Sequence, residues 1–250
     1  MQKNLLLAAI ILLTSLLLIS FTNAKNTDVK SVKIVNDSSI SGVSEEASVI
    51  AEEANLADVL YSRLNLKKLG LSQETLAYAI NGYQRLDAAG KVRNPYLTII
   101  DMGQSSRKKR LYIIDMENQK LVRNTFVSQG QNSGLDMANS FSNAVNSNKT
   151  SLGFYITTNT YRGKHGLSLR LRGMEEGFND NAEARAIVMH GANYVSAGRV
   201  NTGYMGRSLG CPALAQHESA EVIQTVKNGS VMFIYHPTKK YINSSSLING

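Results

Sequence analysis

Residues 186–191 read Ala-Ile-Val-Met-His-Gly, and residues 208–213 read Ser-Leu-Gly-Cys-Pro-Ala. Ala186 to Met189 is an unbroken apolar run, the pattern of a strand buried on both faces rather than a half-solvated one. The run ends at His190-Gly191. Twenty-one positions further on stands Cys211, the only cysteine of the chain. The glycine before it and the proline after it make a sharp turn. Glycine at 210 lets the backbone fold tightly and leaves the amides of Gly210 and Cys211 free to face a substrate oxygen. Pro212 has no N–H, so any such donor lies at or before Cys211. Taken singly, His190 is a core histidine and Cys211 a chance buried thiol. Taken together they are chemistry, because a thiol needs a nearby base to become thiolate near neutral pH.

Outward from these two segments the chain is rich in short strands. Residues 96–100 and 111–114 carry β-branched and aromatic residues, 115–119 form a turn, and 121–127 return as a hairpin partner. Residues 153–158, 167–171, 186–190 and 231–235 read as further strands. A single short helix at about 218–227 has a basic last turn, with Gly229 past its end. Many short strands with one late helix predict a mainly β chain, an antiparallel sandwich or open barrel. Two long connections, 129–150 and the glycine-rich 191–207, interrupt the scheme; such loops are usually functional, and both read as lids.

Upstream the period is helical. Ser44 with Glu45 and Glu46 starts a helix that runs to about Leu64. Gly70 breaks the chain, Ser72 caps a second helix and Gly90 ends it. Leu76, Ala79, Ile80, Tyr83 and Leu86 share one face of that helix, which therefore packs on the domain that follows. The boundaries are a helical extension over 44–93 and a site-bearing domain over 94–250.

At the N-terminus, Lys3, an apolar run over 5–19 and the small residue Ala24 read as a signal peptide, 1–24, removed in the mature protein. The run is short for a bilayer span of roughly 20 residues. Residues 25–43 are polar and read as a flexible tether. The net charge of +8 suits anionic wall polymers or membrane surfaces. Export to the periplasm or cell envelope argues against nucleic acid as a partner. The run Arg107-Lys108-Lys109-Arg110 reads as a solvated turn leading into a strand rather than as an anion patch. A lone thiol in an oxidising compartment is a liability, open to stray disulfides and oxidation.

His190-Gly191, sixteen intervening residues, then Ser208-x-Gly210-Cys211 resembles the signature of the L,D-transpeptidase catalytic domain, a YkuD-type fold. The likeness extends to the hairpin over 111–130, to Ser151-Leu152-Gly153-Phe154-Tyr155-Ile156 and to Asn228-Gly229-Ser230-Val231, covering roughly 94–235. Cys211-Pro212-Ala213-Leu214, Phe178-Asn179-Asp180-Asn181 and Gly163-Lys164-His165-Gly166 resemble the murein L,D-transpeptidase subfamily with a Gly-Cys-Pro-Ala centre. The resemblance implies acyl transfer on peptidoglycan stem peptides through a Cys211 thioacyl-enzyme, with His190 as base and carbapenems as acylating agents, and no cofactor. The Gly191 carbonyl, with Ser208 behind it, orients the imidazole. An amine acceptor gives a 3→3 cross-link; water as acceptor makes an L,D-carboxypeptidase.

Two positions depart from the family pattern. Leu209 stands where a second histidine is usual, and Ala213 where Arg or Asn is usual. Anion recognition then falls to other residues: Arg199 and Arg207 in the glycine-rich connection, with Tyr204 between them, and His165. Two rival readings remain at this level. One is a zinc hydrolase with His165, His190, Cys211 and His217 as ligands, though no paired-ligand spacing is present. The other is a non-catalytic wall-binding module.

Overall fold

The computed structural model describes residues 56–250. The expected leader, the tether and the start of the first helix lie outside the described residues. Residues 56–63 are helical (α1), followed by α2 (Leu66–Leu69) and α3 (Gln73–Ala88). Ser72 caps α3, its Oγ accepting from the Thr75 amide at 3.1 Å, which satisfies one of the orphan donors of the first turn. The apolar face anticipated for α3 is buried in full.

Eight strands form one sheet: β1 (Tyr96–Asp101), β2 (Leu111–Asp115), β3 (Lys120–Thr125), β4 (Gly153–Gly163), β5 (Gly166–Gly173), β6 (Val188–Ala192), β7 (Ala213–Ala215) and β8 (Val231–Tyr235). Their order is β3-β2-β1-β8-β4-β5-β6-β7. The mainly β architecture is as the sequence predicts, but the sheet is mixed rather than antiparallel. β1 pairs with β8, and β6 with β7, in parallel. Each pair is joined by a long connection, as parallel strands must be. The late helix, α4 (Gln216–Val226), does not stand alone, since α5 (Lys239–Ser244) and α6 (Ser246–Asn249) follow β8. Nor does α4 end on a basic turn; Lys227 is its C-cap in extended backbone. β6 starts at Val188 because Ala186, at φ +52°, is left-handed and cannot continue a strand.

Strands β1, β2, β6 and β8 are buried at nearly every position, so both faces of the sheet are covered. Alternation along β4 shows how. Phe154 packs against Gly82 of α3 and stacks on Phe233 at 4.1 Å. Thr157 points to the opposite face and donates its Oγ1–H to the Val226 carbonyl of α4 at 2.6 Å. α3 and α4 therefore sandwich the sheet. Glu175 ties in the C-terminus, accepting from the Phe154 amide at 2.7 Å, from the Tyr241 hydroxyl at 2.8 Å and from Ser245 Oγ.

The outer strands of this order are drawn together at one end. The chain leaving β3 donates the Ser128 amide to the Ala213 carbonyl of β7 at 2.9 Å, and Gly130 bridges to Ser208. The sheet is an open barrel closed at that end. Inside the closure lies Arg110, wholly inaccessible. Its Nη1 donates to the Gln104 carbonyl at 3.0 Å, and its Nη2 to the Val127 carbonyl at 3.1 Å and to Gln129 Oε1 at 2.6 Å. Burial pulls its pKa down to about 10, against the pull of Asp101 and Asp136, so it stays charged at neutral pH. The basic run is thus not a solvated turn throughout: Arg107 pairs with Asp136 at 3.0 Å, and Arg110 is a core cation. Replacing Arg110 by Met leaves three buried acceptors without donors, each worth roughly 1–3 kcal/mol. Arg110→Met should lower unfolding stability by about 3 kcal/mol or more, read by chemical denaturation; a change under about 1 kcal/mol means that the closure does not depend on it.

Candidate active site

His190 and Cys211 come from neighbouring chain segments at the β6–β7 edge. The parallel register sets His190 opposite Ala213, two residues past the cysteine, and both side chains line one cleft of about 420 Å³. A larger hollow of about 650 Å³, bordered by Gly90, Arg93, Thr157, Arg172 and Gly229, holds neither a thiol nor an imidazole.

The imidazole is buried and oriented by one bond, from Nδ1 to the Gly191 carbonyl at 2.8 Å. A carbonyl can only accept, so Nδ1 carries the proton and Nε2 is left as the acceptor facing the cleft. Burial lowers the His190 pKa; the Gly191 carbonyl opposes this, and the charges of His165 and Lys164 add to it. His190 is therefore a neutral imidazole at physiological pH. Gly191 itself must be glycine because α4 presses on it: a Cβ there would lie 2.4 Å from Ser219 Oγ.

Ser208 sits elsewhere than behind the imidazole. Its Oγ donates to the Cys211 carbonyl at 2.6 Å and accepts from the Gly210 amide at 3.1 Å, closing the Gly210-Cys211 turn on itself. Gly210 has φ +123° and packs on the Lys149 carbonyl, so no side chain fits. Because its amide is already bound to Ser208, Gly210 is not an open oxyanion donor. Among the described residues the Cys211 amide is without an acceptor and is the donor that remains.

The thiol rests on the backbone before β6. Sγ accepts from the Val188 amide at 3.5 Å and donates toward the Ala186 carbonyl at 3.8 Å. Burial pushes the Cys211 pKa up, while the Val188 amide, Arg185 and Lys164 pull it down. The resting pair is thus a neutral thiol beside a neutral imidazole. The thiol must turn from Ala186 before His190 can take its proton, consistent with catalytic hydrogen bonds that tighten only when substrate binds.

The cationic candidates are placed unequally. His165, at the tip between β4 and β5, stacks on His190 with ring centroids 4.2 Å apart. Arg207 lines the cleft, donates Nη1 to the Gln131 carbonyl at 2.7 Å and lies 5.2 Å over the Tyr204 ring. Arg199 does not line the cleft; it stands in a 3₁₀ turn of the 191–207 connection. His217 is on α4, outside the cleft, so the four ligands of a zinc site are not brought together. Lys164 and Arg185 line the cleft and were missed from sequence. A lone basic side chain gives no sign in sequence of which way it points, although Lys164 falls in the Gly163-Lys164-His165-Gly166 motif.

Residues 67–235 match the family described as the L,D-transpeptidase catalytic domain. That match covers most of the chain, which therefore belongs to the L,D-transpeptidase catalytic-domain family. A search of curated proteins returns no match. Similar solved structures include an L,D-transpeptidase from Mycobacterium smegmatis (14% identity, 57% of this chain and 59% of that one, TM-score 0.36). Another is an L,D-transpeptidase from Mycobacterium tuberculosis H37Rv (11%, 57% and 58%, TM-score 0.37). A third is L,D-transpeptidase 3 from Mycobacterium tuberculosis in complex with a faropenem-derived adduct (11%, 57% and 60%, TM-score 0.36). The chain spans about three-fifths of the length of these structures. Membership rests on the sequence match.

His190→Ala should slow acylation of Cys211 by roughly two orders of magnitude, since positioned proton transfer contributes about 10²–10⁴-fold. A loss below about threefold moves the base elsewhere. The acid limb of the pH–rate profile should fall below the ordinary histidine range, because burial and the neighbouring cations lower His190. His165→Asn removes one like charge and should shift that limb to higher pH, as measured by kcat/KM against pH.

Proposed function

We propose that this protein is an exported peptidoglycan L,D-transpeptidase that forms 3→3 cross-links through a thioacyl-enzyme on Cys211. The reading is carried by one observation: the lone thiol shares its cleft with a neutral imidazole whose Nδ1 is tied to a backbone carbonyl, in a chain of the L,D-transpeptidase family. His190 accepts the thiol proton through Nε2. Cys211 Sγ attacks the carbonyl of the stem's L-centre, and the Cys211 amide faces the resulting oxyanion, an interaction typically worth about 2.7–4 kcal/mol. The proton held by His190 passes to the departing D-amino acid. An amine from a second stem then attacks the thioester, gives up its proton to His190 and releases the thiol. Export is supported by the apolar run over 5–19 that precedes Ala24.

Intact mass after exposure to a carbapenem tests the nucleophile. One adduct per chain is expected, and none in Cys211→Ala; folded protein without an adduct at high drug concentration sinks the reading. Incubation with tetrapeptide-stem muropeptides separates the outcomes, with cross-linked dimers expected and tripeptide alone marking a carboxypeptidase.

Stem peptides are anionic, and Arg207 offers them a guanidinium already steadied by Gln131 and Tyr204. Charge-assisted Arg–carboxylate bonds are strong and often bidentate. Arg207→Ala should raise KM for a tetrapeptide stem several-fold while leaving alkylation of Cys211 by a small neutral reagent unchanged. An unchanged KM removes Arg207 from substrate capture.

A further inference from the structure

Arg185 stands immediately before Ala186, whose carbonyl receives the Cys211 thiol. Its guanidinium is half-buried and reaches across to the long connection over 129–150. Nη1 donates to the Ser142 carbonyl at 2.9 Å and to Ser151 Oγ; Nη2 donates to the Lys149 carbonyl at 2.6 Å and to Ser147 Oγ at 3.1 Å. All of these acceptors are neutral. Among the described residues Arg185 forms no ion pair with a carboxylate, whereas Arg107, Arg123 and Arg172 each do. Yet Nη2 packs on the nucleophile turn, 3.2 Å from where a Cβ of Gly210 would lie. A cation held rigidly, partly desolvated and without a countercharge stands ready for an anion that forms later.

We propose that Arg185 is the built-in counter-ion of the Cys211 thiolate, a positioning residue clamped by the 142–151 segment. When His190 removes the proton, the negative charge on Sγ develops beside this guanidinium. The same clamp sets the connection against Gly210, so the charge cannot swing away into solvent. The other groups facing the cysteine do not replace it. Lys164 and His165 sit at an exposed hairpin tip, and His190 is neutral in the resting state. Tyr194 is an uncharged phenol, and Arg207 is engaged with Gln131 and Tyr204. Tyr155 is a buried phenol that donates to the Ser151 carbonyl at 3.0 Å, and burial pushes its pKa up, so it brings no charge to the thiol.

The inference rests on Cys211 being the nucleophile, but its test uses no wall substrate, so it can fail while the transferase reading stands, and the reverse. The rate of Cys211 alkylation by iodoacetamide is measured against pH in the full-length protein. Arg185→Gln should move the midpoint to higher pH and slow alkylation at neutral pH on the order of tenfold, the low end of what one nearby opposite charge does. Arg185→Lys keeps the charge and should restore the midpoint, even where the weakened clamp lowers Tm. Ser151→Ala weakens the clamp alone and should leave the midpoint in place. An unchanged profile in Arg185→Gln overturns the proposal. If Arg185→Gln does not fold, the other two variants decide: a midpoint that rises in either one assigns Arg185 a purely structural part and overturns it as well.

Discussion

A guanidinium without access to water has to find acceptors, and Arg110 finds them on two segments that would otherwise be free to part. Gln104, Val127 and Gln129 converge on it, which holds the chain after β3 inside the barrel's end. The same stretch then hydrogen-bonds outward: the Gln129 carbonyl receives the Ser208 amide at 2.9 Å, and the Gln131 amide donates to the Ser208 carbonyl at 2.7 Å. Ser208 in turn closes the Gly210-Cys211 turn. A charge in the core thus sets the backbone on which the Cys211 thiol is mounted, three links away. Breaking the first link by removing the arginine leaves unmet acceptors rather than a simple cavity, which is why the cost is large.

The reactive pair was legible because its signal is local and chemical: a histidine ending an apolar strand, and a lone cysteine in a glycine turn. The Gly191 carbonyl was readable for the same reason, being the nearest acceptor to the ring. Helix α3 was readable from its cap and its face. The parallel pairings were not, because β1 meets β8 across most of the domain and β7 is three residues long, too short for any period to show. Arg110 and Arg185 were illegible for a deeper reason. A single basic residue looks the same in sequence whether it points to water or into the core. Only the distant carbonyls that surround it tell the two apart. The Gly191 carbonyl orients the ring without help from Ser208, whose hydroxyl bonds within its own turn, a preference of short polar side chains.

The electrostatics of the site favour uncharged partners at rest. Burial raises the thiol and lowers the imidazole, so neither ion of the pair is the stable form before substrate arrives. An exposed thiolate would be open to oxidation; a half-buried neutral thiol is less so. The cations around the cleft lessen the cost of ionisation without making it the resting condition.

The bonds that assemble the nucleophile turn join residues far apart in the chain: Ser208 and Gln129 are 79 positions apart, and the Met205 amide reaches Ser106 Oγ across 99. Contacts of that separation form late, because the loop they close must be ordered first. Until the chain after β3 reaches Ser208, the turn that carries Cys211 lacks the Gln129 and Gln131 bonds that hold it. Cys211 is then a thiol on an unfinished turn. The setting of the sulfur therefore depends on contacts closed across most of the domain, and a partly folded molecule carries the thiol without its fixed turn.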